Sequence, residues 1–378
     1  MIKLENISKS YKKIKVLKDI SLTIKKGELV ALIGPSGCGK TTTLKMINGL
    51  VKPSSGNIYI DGKSLLTQDL ITLRRSMGYV IQQTGLFSHM TVEENIQIIP
   101  KLMKKKKEDI QKRTIELLKL INLDPEEFLY RYPPQLSGGQ LQRIGVARAF
   151  ATDPEIILMD EPFSALDPIT RDQLQIELIH LQSKLHKTIV FVTHDMDEAV
   201  KIADRICLMN EGKIIQYDTP ENILKNPVDD FVEQFVGKKR IWSSPELIRA
   251  SDIMISDPVF TYSETTLLRA IEIMRYKKVD SILIVDDNKI LLGYIKASTI
   301  QRISDKNIAV SNILSNPKLT ATPDQNIIEL LYIMRENAMS NIAVVTPNNE
   351  LLGLITTSSL VTTLSTQFIG FEEEGDLI

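Results

Sequence analysis

The chain has few cysteines, a single tryptophan and no long hydrophobic stretch. Of its 378 residues, two are cysteines, one is tryptophan and four are histidines. The two cysteines, Cys38 and Cys207, are too few and too far apart for a disulfide framework, and they fit a reducing compartment. No apolar run approaches the roughly 18 residues that span a bilayer, and the first residues show no signal-peptide pattern. We therefore expect a globular protein of the cytosol.

Charge of one sign is also lacking. The formal net charge is −1, and hydrophobic and charged residues make up 43% and 25% of the chain, as in ordinary globular proteins. Residues 1–249 carry 36 basic and 31 acidic side chains, whereas residues 250–378 carry 10 and 16. Neither surplus is typical of a nucleic-acid-binding protein. The length predicts two or three domains of roughly 100–200 residues each.

A phosphate-binding pattern stands near the N-terminus. Residues 34–41 read Gly-Pro-Ser-Gly-Cys-Gly-Lys-Thr, after an apolar run at 29–33 and before Leu44, Ile47 and Leu50 at helical spacing. This strand–loop–helix order is the one that a phosphate loop requires. Lys40 would reach the β- and γ-phosphates, and the Thr41 hydroxyl would hold Mg²⁺. The candidate nucleotide-binding residues of the loop are Gly34, Ser36, Gly37, Cys38, Gly39, Lys40, Thr41 and Thr42.

Two further segments carry complementary chemistry. The apolar run at 156–159 ends in Asp160, which would support the Mg²⁺ shell, and Glu161, which would orient and deprotonate an attacking water. Residues 136–140 read Leu-Ser-Gly-Gly-Gln at a predicted helix start. Free N–H groups and the positive end of the helix dipole make such a start an anion site without a lysine. The three segments together predict a nucleotide triphosphatase.

The pentapeptide and the phosphate loop together resemble ABC-type ATPases over about residues 1–235. The resemblance implies an α/β phosphate-loop domain at 1–236 with a helical subdomain at about 83–150, binding ATP and Mg²⁺ and hydrolysing ATP. It implies that Tyr11 stacks on adenine and that His194 contacts the γ-phosphate. It gives Gln82 a place in catalysis, in the metal shell and in coupling to a transmembrane partner. The implied signature and D-loop residues that bind ATP are Ser137, Gly138, Gly139, Gln140 and Asp167.

The C-terminal part is duplicated with an offset of 60 residues. Ile273-Met274-Arg275 recurs at 333–335, and Leu291-Leu292-Gly293 recurs at 351–353. An ungapped repeat of this kind indicates two copies of one structural unit. The repeat resembles a tandem pair of α+β CBS domains at 250–305 and 310–366, preceded by a linker at 237–249 and followed by an acidic tail at 367–378.

The resemblance to CBS pairs implies a regulatory ligand but leaves its nature open. Adenosine-binding pairs place a threonine and an aspartate three residues apart, where this chain has Lys296 and Thr299, and then Thr356 and Ser359. The missing aspartates disfavour AMP or ATP and leave cyclic di-AMP, ionic strength or a dimerisation brace. We expect a ligand between the repeats, near Ile282, Ile295, Ile342 and Ile355.

Residues 82–87 and the duplicated region resemble the ATPases of osmoprotectant importers, which carry glycine betaine, carnitine or choline. The resemblance implies a homodimer of ATPase subunits with two composite ATP sites on the cytoplasmic face of the cell membrane. It also implies transmembrane permease subunits, a substrate-binding protein and no nucleic acid. The alternatives are an importer of another small solute such as an amino acid, a soluble ABC protein acting on DNA or the ribosome, and an ATP-binding regulator without turnover. Intact Glu161 and His194 disfavour the regulator.

Overall fold

The structure is a computed structural model that describes residues 1–82, 85–164, 166–237, 245–317 and 319–361. The chain divides between residues 238 and 239 into two units, each with its own core. The predicted acidic tail and most of the predicted linker lie outside the described residues. Among the helices of the described ranges, none combines the length and the apolar character that a membrane span needs.

The N-terminal unit contains two sheets and a set of helices around them. Its strands are β1 (Ile2–Tyr11), β2 (Ile14–Ile24), β3 (Leu29–Ile33), β4 (Ser55–Ile60), β5 (Lys63–Ser64), β6 (Met77–Val80), β7 (Ile156–Asp160), β8 (Thr188–Val192), β9 (Arg205–Asn210) and β10 (Lys213–Asp218). Its helices are α1 (Lys40–Ile47), α2 (Leu70–Arg75), α3 (Val92–Leu102), α4 (Lys107–Leu120), α5 (Pro125–Phe128), α6 (Gly138–Phe150), α7 (Pro168–Leu185), α8 (Met196–Ile202), α9 (Pro220–Lys225) and α10 (Asp230–Val236).

The larger sheet has the order β10-β9-β3-β8-β7-β6 and is parallel except for the β9–β10 pair. Strands β3, β7 and β8 are buried along their whole length, as strands covered on both faces should be. Alternate residues of these strands belong to different cores. Ala31 packs with α3, α4, α6 and α7 on one face, whereas Leu32 packs with α1 on the other. The predicted, mainly parallel α/β sheet is confirmed.

A second sheet, antiparallel and ordered β2-β1-β4-β5, is a feature that the sequence analysis did not separate. Along β2, buried Ile20, Leu22 and Ile24 alternate with exposed residues, because only one face of the sheet meets the core. These side chains share a hydrophobic cluster with Leu44 of α1. The second sheet therefore packs against the phosphate-loop helix. That helix ends at Ile47, and Leu50 lies beyond it and is exposed, contrary to the predicted spacing.

The C-terminal unit consists of two three-stranded sheets with flanking helices. Its elements are α11 (Ala250–Ile253), β11 (Phe260–Tyr262), α12 (Leu267–Lys277), β12 (Ser281–Val285), β13 (Leu291–Lys296), α13 (Ala297–Gln301), β14 (Thr320–Ala321), α14 (Ile327–Glu336), β15 (Asn341–Val345) and β16 (Leu351–Thr356). The sheets have the orders β11-β12-β13 and β14-β15-β16, each with one parallel and one antiparallel pair. Strands β12 and β13 reappear 60 residues later as β15 and β16, which confirms the duplication.

The segment at the start of each repeat packs on the other repeat. Ala250 of α11 donates a backbone hydrogen bond to Gln325, and Ile255 pairs with Leu354 of β16. Conversely, the 308–314 segment completes the core beneath β12 and β13, where Val310 is fully buried. The cores of the two repeats therefore cross the predicted boundary between residues 305 and 310.

Candidate functional site

The phosphate loop leaves β3 and enters α1 through glycines that adopt positive φ. Gly34 has φ 148°, Gly37 φ 80° and Gly39, the N-cap of α1, φ 106°. A Cβ on Gly34 would lie 2.0 Å from the carbonyl oxygen of Met209, and one on Gly39 would lie 2.4 Å from Cδ2 of Leu17. Only glycine fits both the torsion angles and the close approach, so the conformation of the loop depends on these glycines.

Lys40 is buried inside this loop. Its ammonium donates hydrogen bonds to the carbonyl oxygens of Gly34 at 2.6 Å and Pro35 at 2.9 Å. The positive charge is therefore held inside the loop that leads into α1, and the start of a helix after such a loop favours a polyphosphate. Cys38 is buried nearby, and burial raises the pKa of its thiol. The thiol therefore stays protonated and fills space.

Thr41 and Asp160 meet across the two predicted motifs. The Thr41 hydroxyl donates to Oδ1 of Asp160 at 2.8 Å. Asp160 is buried at the end of β7, and burial raises the pKa of its carboxyl while the Thr41 hydrogen bond opposes that rise. A hydroxyl and a carboxylate oxygen side by side are hard donors of the kind that Mg²⁺ prefers. The donor set therefore fits the predicted metal.

The three predicted catalytic residues are Gln82, Glu161 and His194, and the other two both approach Glu161. Gln82 donates from Nε2 to Oε2 of Glu161 at 2.8 Å, and Nδ1 of His194 lies 3.8 Å from the same oxygen. The three residues follow β6, β7 and β8, whose carboxyl ends share one edge of the sheet, as in open α/β folds that bind ligands there. Residues far apart in sequence thus converge because parallel strands are neighbours.

The signature pentapeptide begins α6, as predicted. Ser137 and Gln140 form a capping box, with the Ser137 oxygen accepting from the Gln140 amide and the Gln140 side chain accepting from the Ser137 amide. Gly138 faces open space, whereas a Cβ on Gly139 would lie 2.5 Å from Cγ2 of Thr170. In the described part of the chain, no hydrogen bond joins these residues to the phosphate loop of the same chain.

Two other predicted contacts lie at element ends. Asp167 caps α7 by accepting from the Thr170 amide, and hydrogen bonding by the Thr170 side chain and amide lowers the pKa of its carboxyl. Tyr11 ends β1 with 47% of its surface exposed and the Lys9 ammonium 4.8 Å from its ring centroid. An exposed ring of this kind can stack on a base. Ala165, between the D-loop residues Ser164 and Asp167, lies outside the described residues.

The residues that hold the segment after Gln82 were not predicted from the sequence. Asn95 is fully buried and bonds the backbone of Phe87 in both directions. Arg148 of α6 donates to the carbonyl oxygen of Gly85 at 2.7 Å, and burial lowers the pKa of its guanidinium. The Thr-x-x-Glu pattern at 91–94, which forms a capping box, was the available signal for this turn.

In the C-terminal unit, the four isoleucines that were expected near a ligand are buried. Ile282 pairs with Ile295, and Ile342 pairs with Ile355, and none is more than 1% exposed. The two pairs belong to two separate cores, because strand alternation turns them towards the helices of their own repeat. The surface that joins the repeats is formed by other residues, namely Leu283, Leu291, Ala343, Val345 and Leu351.

Other parts of the C-terminal unit are more open. Thr356 and Ser359 cap each other's backbone amides at 3.0 and 2.9 Å, which gives this pair a structural task at the end of β16. A small pocket lies between the 256–260 segment, Lys289 and the first residues of β16.

Comparison with known proteins identifies the family. Residues 17–164 match the ABC transporter family, and residues 250–305 and 310–366 match the CBS domain. The choline transport ATP-binding protein of Bacillus subtilis is 48% identical over 377 residues, 99% of each chain. The glycine betaine/carnitine/choline transport ATP-binding protein of the same organism is 49% identical, over 99% of this chain and 98% of the relative. A solved dimeric ATP-binding cassette with ADP and phosphate bound is 39% identical, has a TM-score of 0.53 and covers 58% of this chain and 99% of its own.

The fold and the site together define an ABC-type ATPase, an enzyme that hydrolyses ATP in transport. The chain belongs to the family of ABC transport ATP-binding proteins with a C-terminal pair of CBS domains. The predicted family and the predicted fold class are confirmed, and so is the predicted ATPase activity.

Proposed function

We propose that this chain is the ATP-hydrolysing subunit of an importer for quaternary-amine osmoprotectants such as glycine betaine, carnitine and choline. The observation that carries the proposal is the match with named transporters of these solutes along both the catalytic and the duplicated region, 99% of each chain in one case. No residue of this subunit needs to touch the solute, so the substrate class rests on these relatives.

For the hydrolytic step we assign roles by position at the site. Lys40 and the loop amides hold the β- and γ-phosphates, and Tyr11 stacks on the adenine. Glu161 accepts the proton of the attacking water, while Gln82 and His194, both beside its Oε2, orient the water and the γ-phosphate. Thr41, Asp160 and Gln82 would hold Mg²⁺, which when bound neutralises charge on the phosphate oxygens.

We further propose that each ATP site is shared between two copies of the chain. In the signature turn the amides of Ser137 and Gln140 are engaged in the capping box, which leaves those of Gly138 and Gly139 at the start of α6. Among the described residues, no hydrogen bond joins this turn to the phosphate loop of the same chain. Asp167 lies at the start of α7, next to the signature through the Gly139–Thr170 approach. A second copy would place its signature over the γ-phosphate, as the dimeric state of the related cassette suggests.

The partners follow from this assignment. We propose permease subunits that span the membrane, contacted through the segment after Gln82 and helices α3–α6, and a substrate-binding protein that reaches this chain only through the complex. The ATPase would then be peripheral on the cytoplasmic face of the cell membrane. The near-zero net charge gives no support to a nucleic-acid partner.

The substrate proposal is tested by transport. The chain would be reconstituted with its permease in proteoliposomes containing ATP, with the binding protein outside, and uptake of labelled glycine betaine, carnitine, choline, proline and histidine would be compared. We expect ATP-dependent uptake of at least one quaternary amine, and none with a Lys40→Ala chain. Uptake of an amino acid without any quaternary amine would favour the alternative importer.

For the C-terminal unit we propose regulation by a cyclic dinucleotide such as cyclic di-AMP or by ionic strength. The excess of acidic over basic residues at 250–378 supports a salt response, because attraction and repulsion between exposed charges are screened over about 8 Å at physiological ionic strength. A chain ending at Gly237 should keep ATP-dependent uptake and lose the response to internal salt and to cyclic di-AMP. An unchanged response to both would reduce the CBS pair to a dimerisation brace.

A further inference from the structure

Arg171 touches the D-loop and the segment around His194 at the same time. It lies in the first turn of α7, four residues after the N-cap Asp167. Its Nη2 donates to the carbonyl oxygen of Leu166 at 3.1 Å. Leu166 is itself buried, so the hydrogen bond reaches a packed part of the D-loop. The guanidinium is therefore anchored on the D-loop side.

The other edge of the guanidinium faces two acids of the next helix. Nε of Arg171 lies 3.7 Å from Oε1 of Glu198, and Nη1 lies 3.8 Å from Oδ2 of Asp195. Nε is buried and has no hydrogen-bond partner among the described residues. A buried N–H group without a hydrogen bond is costly, and a carboxylate within ion-pair distance is what offsets that cost.

Glu198 in turn holds the backbone on both sides of His194. It is buried, and its Oε2 accepts from the Thr193 hydroxyl at 2.6 Å. The same hydroxyl accepts from the amide of Asp195 at 3.0 Å. Burial raises the pKa of the Glu198 carboxyl, while the Thr193 hydrogen bond favours its charged form. The residues before and after His194 are thus tied to one carboxylate.

His194 itself has an exposed imidazole, 64% accessible, with Nδ1 3.8 Å from Glu161. The backbone position from which it extends is held on both sides, because Thr193 and Asp195 are tied to Glu198. We propose that Arg171 is a positioning residue that links the D-loop to His194 through Glu198 and Thr193. Movement of the Leu166 carbonyl would change the support of Glu198, and with it the placement of the imidazole. The inference rests on the proposed role of His194 in hydrolysis.

The first test compares Arg171→Gln with Arg171→Lys and a matched control in the full chain. Asp172→Asn is the control, because the Asp172–Lys201 ion pair, 2.8 Å long, joins the same two helices without reaching Thr193. We expect Arg171→Gln to lower kcat about tenfold or more while KM for ATP changes less than about twofold, since small misplacements cost rate more than binding. Arg171→Lys should recover part of the rate, and Asp172→Asn should match wild type. A rate for Arg171→Gln equal to the control would overturn the proposal.

The second test separates positioning from general support of the fold. In a His194→Ala background, Arg171→Gln should cause no further loss of residual turnover, because its effect passes through the missing imidazole. A full additional loss would show that Arg171 acts elsewhere and would overturn the link. Labelled ring carbons of the four histidines give a readout that needs no activity. The His194 signal, assigned by its absence in His194→Ala, should shift in Arg171→Gln and stay in place in Asp172→Asn.

The two proposals fail in different ways. Wild-type turnover in His194→Ala would contradict the hydrolytic role of His194, whatever the Arg171 variants do. Impaired turnover in His194→Ala, with an unshifted His194 signal in Arg171→Gln, would leave the proposed function standing and contradict the positioning link.

Discussion

The two units differ in where their predicted functional residues lie. In the N-terminal unit, Gln82, Glu161 and His194 stand at strand ends, keep part of their surface accessible and converge within 2.8 to 3.8 Å. In the C-terminal unit, the residues expected to meet a ligand, such as Ile282 and Ile342, are buried in separate cores. The polar residues at the strand ends therefore lie together, whereas the apolar residues of the repeat lie in two separate cores.

The units also differ in how their cores are built. In the N-terminal unit, one buried sheet separates two hydrophobic clusters, and the site lies at its edge. In the C-terminal unit, the segment at the start of each repeat packs on the other repeat. Ala250 is hydrogen-bonded to Gln325, and Val310 packs in the core of the first repeat. Function can thus be tested by substitution of single polar residues in the first unit. In the second unit, the test is the substitution of a buried apolar residue and its effect on stability.

The largest expected effect belongs to Glu161. Replacement by Gln keeps the shape of the side chain and removes its ability to accept the proton of water. Loss of a general base typically costs roughly 10²–10⁴-fold in rate, while ATP binding should persist and an ATP-bound dimer should accumulate. Steady-state phosphate release and size-exclusion chromatography with ATP would measure both. Turnover within a factor of about three of wild type would contradict the assigned role.

The second-largest effect on activity is expected from variants that test whether each ATP site is shared between two copies of the chain. Ser137→Arg and Lys40→Ala chains should each lose nearly all turnover, since removal of one transition-state contact typically costs about 10²–10³-fold. Mixed heterodimers carry one site with both lesions and one with neither. An equal mixture should therefore recover roughly a quarter of the wild-type rate if pairing is random. No recovery, with heterodimers shown by differential tags, would argue against independent shared sites.

The smallest effect on activity is expected in the C-terminal unit. Ile342→Ala removes a fully buried side chain and should lower the stability of that unit by about 2–5 kcal/mol. ATP turnover should stay unchanged, because all the residues that we assign to catalysis precede residue 238. Ile328→Ala, at a half-exposed position of the same repeat, is the matched control. Hydrogen exchange resolved by peptide would show the loss. Equal protection in both variants would contradict the assignment of Ile342 to the core.

Much of the N-terminal unit was predictable because its chemistry dictates local backbone. Three of its patterns each span only a few residues. They are the glycines of the phosphate loop, the acids after an apolar strand and the Ser-Gly-Gly-Gln start of a helix. The antiparallel sheet was less visible, since its buried positions, such as Leu22, alternate in a pattern that any half-buried strand would show. The end of α1 at Ile47 was also missed, because apolar spacing continued to Leu50 after the helix had stopped.

The sequence by itself determined the class of protein, the order of the motifs and the duplication, because each depends on residue types at fixed short spacings. Only the tertiary structure decided which residues meet. The approach of Gln82 and His194 to Glu161 depends on β6, β7 and β8 being neighbours, and the link from Arg171 to Thr193 depends on how α7 packs against α8. The burial of Ile282 and Ile342 depends on which face of a strand a helix covers. Such contacts are set by long-range packing, which residue spacing along the chain does not encode.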